Sequence, residues 1–286
     1  MKAATKKYLR IFIKAAITIL ALYIVFRKIE LKEVLELFAG ANVFFLCLGL
    51  LAFILSQVIS SFRLNNFLRS VDVHISERSN LRLYLLGMYY NLFLPGGIGG
   101  DGYKIYLLNK KFGVKVKRLF RALILDRLSG LAALLGIAVI LSLFVPYFNS
   151  FDYYSWLLVP LIVLGFYFFM RLFFRDFLKI FAITQLQSFL IQAFQLLCAL
   201  LILFSFGVFG NLYEYLFLFL VSSIVATIPI TIGGVGAREI AFLYGAQITS
   251  LDINQAIALS FMFYLMTVLV SLSGMYYSLS KRKIIY

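Results

Sequence analysis

The feature that most limits the fold is a series of apolar runs, each about as long as a membrane-spanning helix. A helix needs about 20 apolar residues to cross a hydrocarbon core of about 30 Å. Of the 286 residues, 63% are hydrophobic and only 14% are charged, too few polar groups to cover a soluble domain. We therefore predict an all-α polytopic membrane protein, a single membrane domain over residues 1–286. The six runs lie at about residues 11–26, 41–62, 119–148, 154–173, 182–209 and 255–279.

Two further apolar segments are interrupted by proline and glycine. The first, at about 82–94, ends at Pro95, and the second, at about 213–228, ends at Pro229. Glycine adopts backbone conformations closed to other residues, and proline removes a backbone donor, so each break interrupts a helix. Irregular backbone at membrane depth is tolerated only inside protein or beside a wet cavity. We predict that both segments form broken re-entrant hairpins, over about residues 82–112 and 213–248.

Basic residues flank the apolar runs and orient them, giving a formal net charge of +15. Lysine and arginine accumulate in cytoplasmic loops. If 82–112 is a hairpin, every basic cluster lies inside except the mixed loop 27–36, whose glutamates balance its bases. With eight full crossings, the rich cluster at 104–121 would lie outside. We therefore favour about six spanning helices plus two hairpins over eight crossings. The first helix is expected to remain uncleaved, and both termini to be cytoplasmic.

The two breaks share one pattern, P-x-x-I-G-G-x-G-x-[K/R], which begins at Pro95 and again 134 residues later at Pro229. Paired Gly/Pro-interrupted segments in corresponding halves point to a transporter site between inverted repeats. We predict an inverted repeat with halves 1–150 and 151–286; the alternative is that the glycines only permit close helix packing. The predicted hinge and backbone residues are Pro95, Gly96, Gly97, Gly99, Gly100, Gly102, Pro229, Gly233, Gly234 and Gly236.

Charged residues stand beside both breaks. A charge deep in a bilayer costs at least about 2.5–3.5 kcal/mol, so such residues are usually paired or serve a pathway. Lys104 and Arg238 close the repeated pattern and suit phosphate, the lysine as a point charge and the arginine as a bidentate fork. Their neighbours Asp101 and Glu239 are candidates to meet a cationic headgroup or to neutralise the bases.

Asp126 and Arg127 stand just inside the helix that follows the first hairpin. Because they lie in an apolar run, they either join the same site or serve internal ion pairing. Both are therefore candidate substrate-binding residues.

Signals for enzymatic chemistry are weak. The only histidine is His74, and the two cysteines, Cys47 and Cys198, lie far apart in apolar runs. The sequence therefore predicts no metal site and no disulfide framework. It contains no Walker, G-x-S-x-G or H-E-x-x-H motif, and no polar domain offers a basic face to nucleic acid. We expect no cofactor and no catalytic residue. An intramembrane transferase with Asp101 or Glu239 as base is an alternative.

At the two Pro/Gly breaks and the Asp126-Arg127 pair, the chain resembles a known family, the membrane domain of lysylphosphatidylglycerol synthases. The family pattern resembles N-x-x-L-P-G-G-x-G-G-D-x-x-[RK], then an acidic-Arg pair, then P-x-x-x-G-G-x-G-x-R-E. It appears here as Asn91–Lys104, Asp126-Arg127 and Pro229–Glu239, so the resemblance covers nearly the whole chain and adds Asn91 to the candidate residues. Lys104 stands where Arg is expected and Asp126 where Glu is usual; both changes keep the charge and alter the reach.

The resemblance implies a lipid flippase. In full-length relatives a soluble aminoacyl-transferase domain makes lysylphosphatidylglycerol, and the membrane domain moves it between leaflets. Here the chain ends soon after the last helix, so we expect a stand-alone member of the bacterial or archaeal inner membrane, without that transferase domain. The resemblance also links stand-alone members to glycolipids. The expected substrates are therefore phosphate-bearing aminoacyl- or glycolipids.

The expected partners are the bilayer and a lipid with an anionic headgroup; a homodimer is left open, and nucleic acid is not expected. Two alternatives come from other functional classes. One is an intramembrane lipid glycosyl- or aminoacyl-transferase, and the other is a non-transporting partner subunit of an envelope enzyme.

Overall fold

A computed structural model describes residues 16–93, 99–148, 155–228, 231 and 235–279. Within these ranges the chain forms eleven α-helices and no strands. The helices are α1 (Ala16–Phe26), α2 (Leu31–Ala39), α3 (Val43–Arg69), α4 (Glu77–Phe93), α5 (Gly99–Phe112), α6 (Val116–Ser142), α7 (Leu158–Phe173), α8 (Phe181–Ser205), α9 (Leu212–Thr227), α10 (Ala237–Ile248) and α11 (Ile253–Leu279).

Four helical segments are long and apolar enough to cross a bilayer. They are α3, α6, α11 and the segment Arg175–Ser205, in which a 3-10 turn leads into α8. Three shorter apolar helices, α1, α7 and α9, accompany them. Large apolar side chains such as Leu161 and Leu269 are exposed on the outside of the bundle, where lipid rather than water would solvate them. The predicted class, an all-helical multi-pass membrane protein, is confirmed.

Contacts between connecting segments define one end of the bundle. Arg118 near the start of α6 pairs with Asp72, which follows α3, at 3.0 Å. Arg121 donates from Nη2 to the carbonyl oxygen of Phe173, the last residue of α7, at 2.8 Å. We call this the basic end, because many bases lie in the segments that meet there: Arg69, Arg78, Lys110, Lys111, Lys115, Lys117, Arg118, Arg121, Arg171, Arg175 and Lys179.

The other end of the bundle is defined in the same way. The backbone N–H of Asn42, just before α3, donates to the carbonyl oxygen of Ser205, the last residue of α8, at 2.8 Å. Tyr215 near the start of α9 donates from its hydroxyl to Gln255 near the start of α11, at 2.9 Å. We call this the opposite end.

Both broken segments are hairpins. The α4–α5 hairpin, over residues 77–112, begins and finishes at the basic end; the α9–α10 hairpin, over residues 212–248, begins and finishes at the opposite end. In each, the second arm packs against the first. Gly100 lies so close to the first arm that a Cβ there would overlap the carbonyl oxygen of Gly87. The chain therefore has the predicted hairpin arrangement rather than eight full crossings, and the two hairpins enter from opposite ends.

The two halves repeat the same order of elements in opposite orientation. Helices α3, α4, α5 and α6 correspond to α8, α9, α10 and α11. The contacts also correspond, since α4 packs on α11 as α9 packs on α6, and α5 packs on α6 as α10 packs on α11. The counterparts α3 and α8 run antiparallel, with Asn42 beside Ser205 and Arg63 beside Ser188. Antiparallel counterparts are what an inverted repeat requires. The division at residues 149–154 lies outside the described residues, so the bounds 1–150 and 151–286 stay a prediction.

Two apolar clusters form the core, and they leave a polar layer between them. One cluster includes Phe53 of α3 and Phe263 of α11, whose ring centroids lie 5.4 Å apart. The other includes Leu64 and Phe67 of α3. Between Phe53 and Leu64, helix α3 buries a set of polar residues instead: Ser56, Gln57, Ser60, Ser61 and Arg63. These residues mark the level of the bundle at which the candidate site lies.

Candidate functional site

The first centre of the polar layer is Lys104 on α5. Its Nζ lies 3.1 Å from Oδ1 of Asp101 and 4.8 Å from the centroid of the Tyr84 ring on α4. The other carboxylate oxygen of Asp101 accepts a short hydrogen bond from Nε of Arg127 on α6. Lys104 is only 5% exposed, whereas the Arg127 side chain is 41% exposed. One buried carboxylate thus pairs with two cations.

Local sequence explains how Lys104 reaches this position. Gly87 faces it from α4, and a Cβ there would overlap Cε of the lysine, so the glycine makes room for the side chain. Asp101 lies in the first turn of α5, where the helix dipole favours a carboxylate. The Asn91 side chain accepts a hydrogen bond from the Gly100 N–H at 2.8 Å, tying the last turn of α4 to the first turn of α5. In this structure, then, Asn91, a predicted substrate-binding residue, shapes the hairpin.

A second centre joins α3, α6 and α8. Nε of Arg63 lies 2.8 Å from Oδ1 of Asp126, and its Nη1 donates to the Ser188 hydroxyl at 2.9 Å. Internal ion pairing is therefore observed for Asp126 and Arg127, but with other partners: Arg63 for the first and Asp101 for the second. Successive residues of a helix point about 100° apart, which sends these two side chains to different neighbours.

Arg63 is the main member of the site that the sequence analysis does not single out, because it directly follows the apolar run 41–62 and so counts only among the basic residues that flank such runs. The run predicted to end at residue 62 continues as helix to Arg69, which carries Arg63 into the bundle. A usable signal was present, since Ser56, Ser60 and Arg63 recur at helical spacing on one face of α3.

Arg238, on α10, is the counterpart of Lys104. It donates from Nη2 to the Ser223 hydroxyl at 2.6 Å and from Nε to the Ser222 hydroxyl at 3.3 Å. Its guanidinium carbon lies 4.9 Å from the centroid of the Phe219 ring and 4.6 Å from that of Phe263. Within the part of the chain that the structure describes, no carboxylate comes within 4.0 Å of this cation. Serine hydroxyls and ring faces hold the guanidinium without neutralising it.

Glu239, the neighbour of Arg238, is buried with 2% exposure and has structural partners. Its Oε2 accepts from the backbone N–H of Gly236 at 2.6 Å, and its Oε1 accepts from the Ser260 hydroxyl at 2.9 Å. The carboxylate therefore caps the start of α10. Gly236 itself has φ +85°, a conformation that favours glycine, and a Cβ there would lie 2.7 Å from Cβ of Ala21 on α1.

The positions of Lys104 and Arg238 correspond across the repeat. Lys104 and Arg238 each reach back onto the first arm of their own hairpin, at Tyr84 and Phe219 respectively. The prediction that both bases face one cavity stays a prediction. Of the predicted hinge residues, Gly99, Gly100, Gly102 and Gly236 are described. The others lie outside the described residues: Pro95, Gly96, Gly97, Pro229, Gly233 and Gly234.

Comparison with known proteins identifies the family. A family model described as the lysylphosphatidylglycerol synthase TM region matches residues 11–185, more than half of the 286 residues. The match includes the first hairpin together with Asp126 and Arg127, while residues 229–239 lie beyond it and are linked to the first hairpin by the internal repeat. No curated protein matches the chain. On this match, which agrees with the predicted resemblance, the chain belongs to the family of the lysylphosphatidylglycerol synthase transmembrane region.

Proposed function

We propose that the protein is a lipid flippase, which moves a phosphate-bearing aminoacyl- or glycolipid between the leaflets of the membrane. The observation that carries the proposal is the pair Lys104 and Arg238. These two bases occupy equivalent positions on hairpins that enter from opposite ends of the bundle. Each is held by protein groups rather than turned toward lipid. A phosphate that passes between the leaflets could thus meet one base from each side.

The surroundings of Arg238 favour an anionic ligand. The Arg238 guanidinium is half-buried, and among the described residues no carboxylate lies within 4.0 Å of it; the carboxylate of the adjacent Glu239 acts on it from farther away. A partly buried cation without a contacting anion is costly. A phosphate would supply a contacting negative charge and two acceptor oxygens in the geometry of the guanidinium fork. The hydroxyls of Ser222 and Ser223 keep the fork oriented in the meantime. Arg238 is therefore the principal phosphate-binding residue of this proposal.

The first hairpin supplies a second, weaker position for phosphate. Lys104 and Arg127 both pair with Asp101, so a phosphate arriving there meets two cations and competes with Asp101 for Lys104. An anion that binds Lys104 displaces part of its interaction with Asp101. Because Asp101 takes the place of the departing phosphate, release of the lipid from this position costs less free energy. Easy release suits a site that must pass its ligand on.

The membrane orientation is part of the same proposal. The basic end carries most of the described lysines and arginines that flank the helices, and such residues are retained on the cytoplasmic side. We assign the basic end to the cytoplasm. The α4–α5 hairpin then enters from the cytoplasmic leaflet and the α9–α10 hairpin from the outer leaflet of the inner membrane.

Reconstitution tests the function. Purified protein is placed in liposomes with a fluorescent phosphatidylglycerol or lysylphosphatidylglycerol, and an impermeant reductant bleaches the label in the outer leaflet. We expect the wild type to increase the bleachable fraction without changing the mass of the lipid, and Arg238→Ala and Lys104→Ala to reduce this movement strongly. Arg118→Ala, which removes an exposed surface pair with Asp72, is the matched control and should behave as wild type.

The same assay separates the alternative functions. A transferase would need a donor and would yield a lipid of new mass. A partner subunit would move no lipid by itself. Absence of movement for both phosphate-bearing probes, with correctly folded protein, would overturn the flippase proposal.

A further inference from the structure

An apolar groove runs along the outside of the bundle between α3 and α11. It consists of two adjoining cavities of about 450 and 320 Å³, which share Leu50 of α3 and Leu269 of α11 as lining residues. Together they extend from Leu46 to Val58 on α3 and from Met262 to Ser273 on α11, and Leu81 and Leu85 of α4 also line the smaller cavity. We call this the α3–α11 groove. Leu269 is 58% exposed, so the groove is open at the side of the bundle, toward the lipid of a bilayer.

The polarity of the groove changes along its length. Its lining is apolar from Leu46 onward, and polar side chains appear only where it reaches Gln57 and Ser273. The Gln57 side-chain oxygen accepts a hydrogen bond from the Tyr84 hydroxyl at 3.3 Å. The ring of that tyrosine lies 4.8 Å from Nζ of Lys104. The polar end of the groove therefore adjoins the Lys104 centre, two side chains away.

The dimensions suit an acyl chain. Leu46 and Val58 are twelve residues apart, or about 18 Å at 1.5 Å per helical residue. That length is close to the depth of one leaflet, about 15 Å or half of the hydrocarbon core. Two methionines, Met262 and Met266, line the wider cavity, and their flexible side chains adapt to an apolar chain that moves through.

We propose that the α3–α11 groove binds one acyl chain of the transported lipid while its phosphate is held at Lys104. This inference rests on the proposed flippase function. It is favoured over occupation by a helix from a second copy, because the groove leads to a buried base and is about as long as one leaflet is deep.

The direction of the groove adds a consequence. It runs from the polar layer toward the opposite end of the bundle, where α3 and α11 begin. A lipid with its phosphate at Lys104 and its tail in the groove therefore has its headgroup nearer the basic end. That orientation belongs to a lipid drawn from the leaflet at the basic end.

Photolabelling tests occupancy directly. Wild-type protein is reconstituted with phosphatidylglycerol that carries a diazirine on its acyl chain, irradiated, and mapped by mass spectrometry. We expect labelling of the groove residues of α3 and α11 to exceed severalfold that of exposed residues on α7, such as Leu161 and Leu164. Lys104→Ala should lower groove labelling to the α7 level. Equal labelling of all lipid-facing helices would overturn the proposal, because it would indicate bulk lipid only.

A matched pair of variants tests the consequence for transport. Leu269→Trp fills the groove, whereas Leu164→Trp adds the same side chain at a similarly exposed position on α7 (58% and 54% exposed). We expect Leu269→Trp to abolish the excess groove labelling and to slow lipid movement severalfold, and Leu164→Trp to match wild type in both assays. Size-exclusion profiles establish that both variants are folded.

The outcomes distinguish this inference from the proposed function. If wild type moves lipid and Arg238→Ala does not, but Leu269→Trp moves lipid normally, the tail site is rejected and the flippase function stands. If neither the wild type nor any variant moves lipid, but groove labelling still depends on Lys104, the acyl-chain site stands and the flippase function is rejected.

Discussion

Arg63 of α3 and Asp126 of α6 form a buried ion pair, with 2.8 Å between Nε and Oδ1, that crosses the polar layer between the two apolar clusters. The Ser188 hydroxyl accepts a further hydrogen bond from the same guanidinium, so the pair joins three helices. Because both side chains are removed from water, each charge depends on the other. The pair therefore holds together α3, α6 and α8, and α3 and α6 are helices on which the first hairpin packs.

Removing one member of this pair should destabilise the protein. Asp126→Ala leaves the Arg63 guanidinium buried without its carboxylate, at a cost of about 3–5 kcal/mol. We expect a large fall in the thermal unfolding temperature of the detergent-solubilised protein. Asp72→Ala, which breaks an exposed pair with Arg118, should cost less than about 1 kcal/mol. Similar falls for both variants would contradict the structural importance of the buried pair.

Arg238 should contribute to lipid movement through the shape as well as the charge of its side chain. Arg238→Ala loses charge-assisted hydrogen bonds worth about 1.5–3 kcal/mol, roughly a tenfold to hundredfold loss of lipid affinity. Arg238→Lys keeps the charge but not the planar fork, so we expect only partial recovery. Initial rates in liposomes over a range of labelled-lipid content provide the measurement. Full activity of the alanine variant would remove Arg238 from the pathway.

Glu239 should behave as a helix cap rather than as a general base. Glu239→Gln keeps an oxygen for the Gly236 N–H and a polar group for Ser260. We therefore expect lipid movement near the wild-type rate, while Glu239→Ala should lower thermal stability because the cap and a buried hydrogen bond are lost. If the glutamine variant were inactive yet as stable as wild type, a role for the carboxylate in proton transfer would be favoured instead.

The glycines of the first break should differ sharply in their tolerance of a methyl group. Gly100→Ala places Cβ against the backbone of Gly87, so the two arms of the hairpin would have to separate. We expect poor folding or loss of lipid movement. Gly102→Ala meets no atom within 4 Å and should be tolerated or slightly stabilising, because alanine favours helix. Equal sensitivity of the two positions would indicate that backbone flexibility, rather than close packing, governs this break.

The orientation of the hairpins can be tested with single cysteines in a background that lacks Cys47 and Cys198. Lys111→Cys and Lys115→Cys lie at the basic end and should resist an impermeant thiol reagent in intact cells. Glu214→Cys, at the opposite end, should react and serves as the positive control. Labelling at positions 111 and 115 from outside would place the basic end outside the cell.

Much of the architecture was predictable from local signals. Apolar runs indicated membrane helices because the bilayer sets their length, and the two Pro/Gly breaks marked the hairpins. The charge argument grouped the bases of 104–121 with the other basic clusters, and the structure places Arg118 and Arg121 beside Asp72 and Phe173 at the basic end. The N- and C-terminal basic clusters lie outside the described residues. The start of the first hairpin was less well predicted, at about 82 rather than Glu77, because Glu77, Arg78 and Arg82 mask the helix in an apolar scan.

The interaction partners of the site residues could not be predicted from local sequence. The membrane class and the repeat could be predicted from composition and from neighbours along the chain, and the same local signals singled out Lys104 and Arg238 as candidates. The pairing of Asp126 with Arg63, the hydrogen bond from Ser260 to the capping carboxylate of Glu239, and the room that Gly87 leaves for Lys104 all depend on helix packing. The reason is physical: a buried charge is stabilised by whichever partner lies within about 4 Å, and helix packing brings such partners together across 63 residues of chain for Arg63 and Asp126.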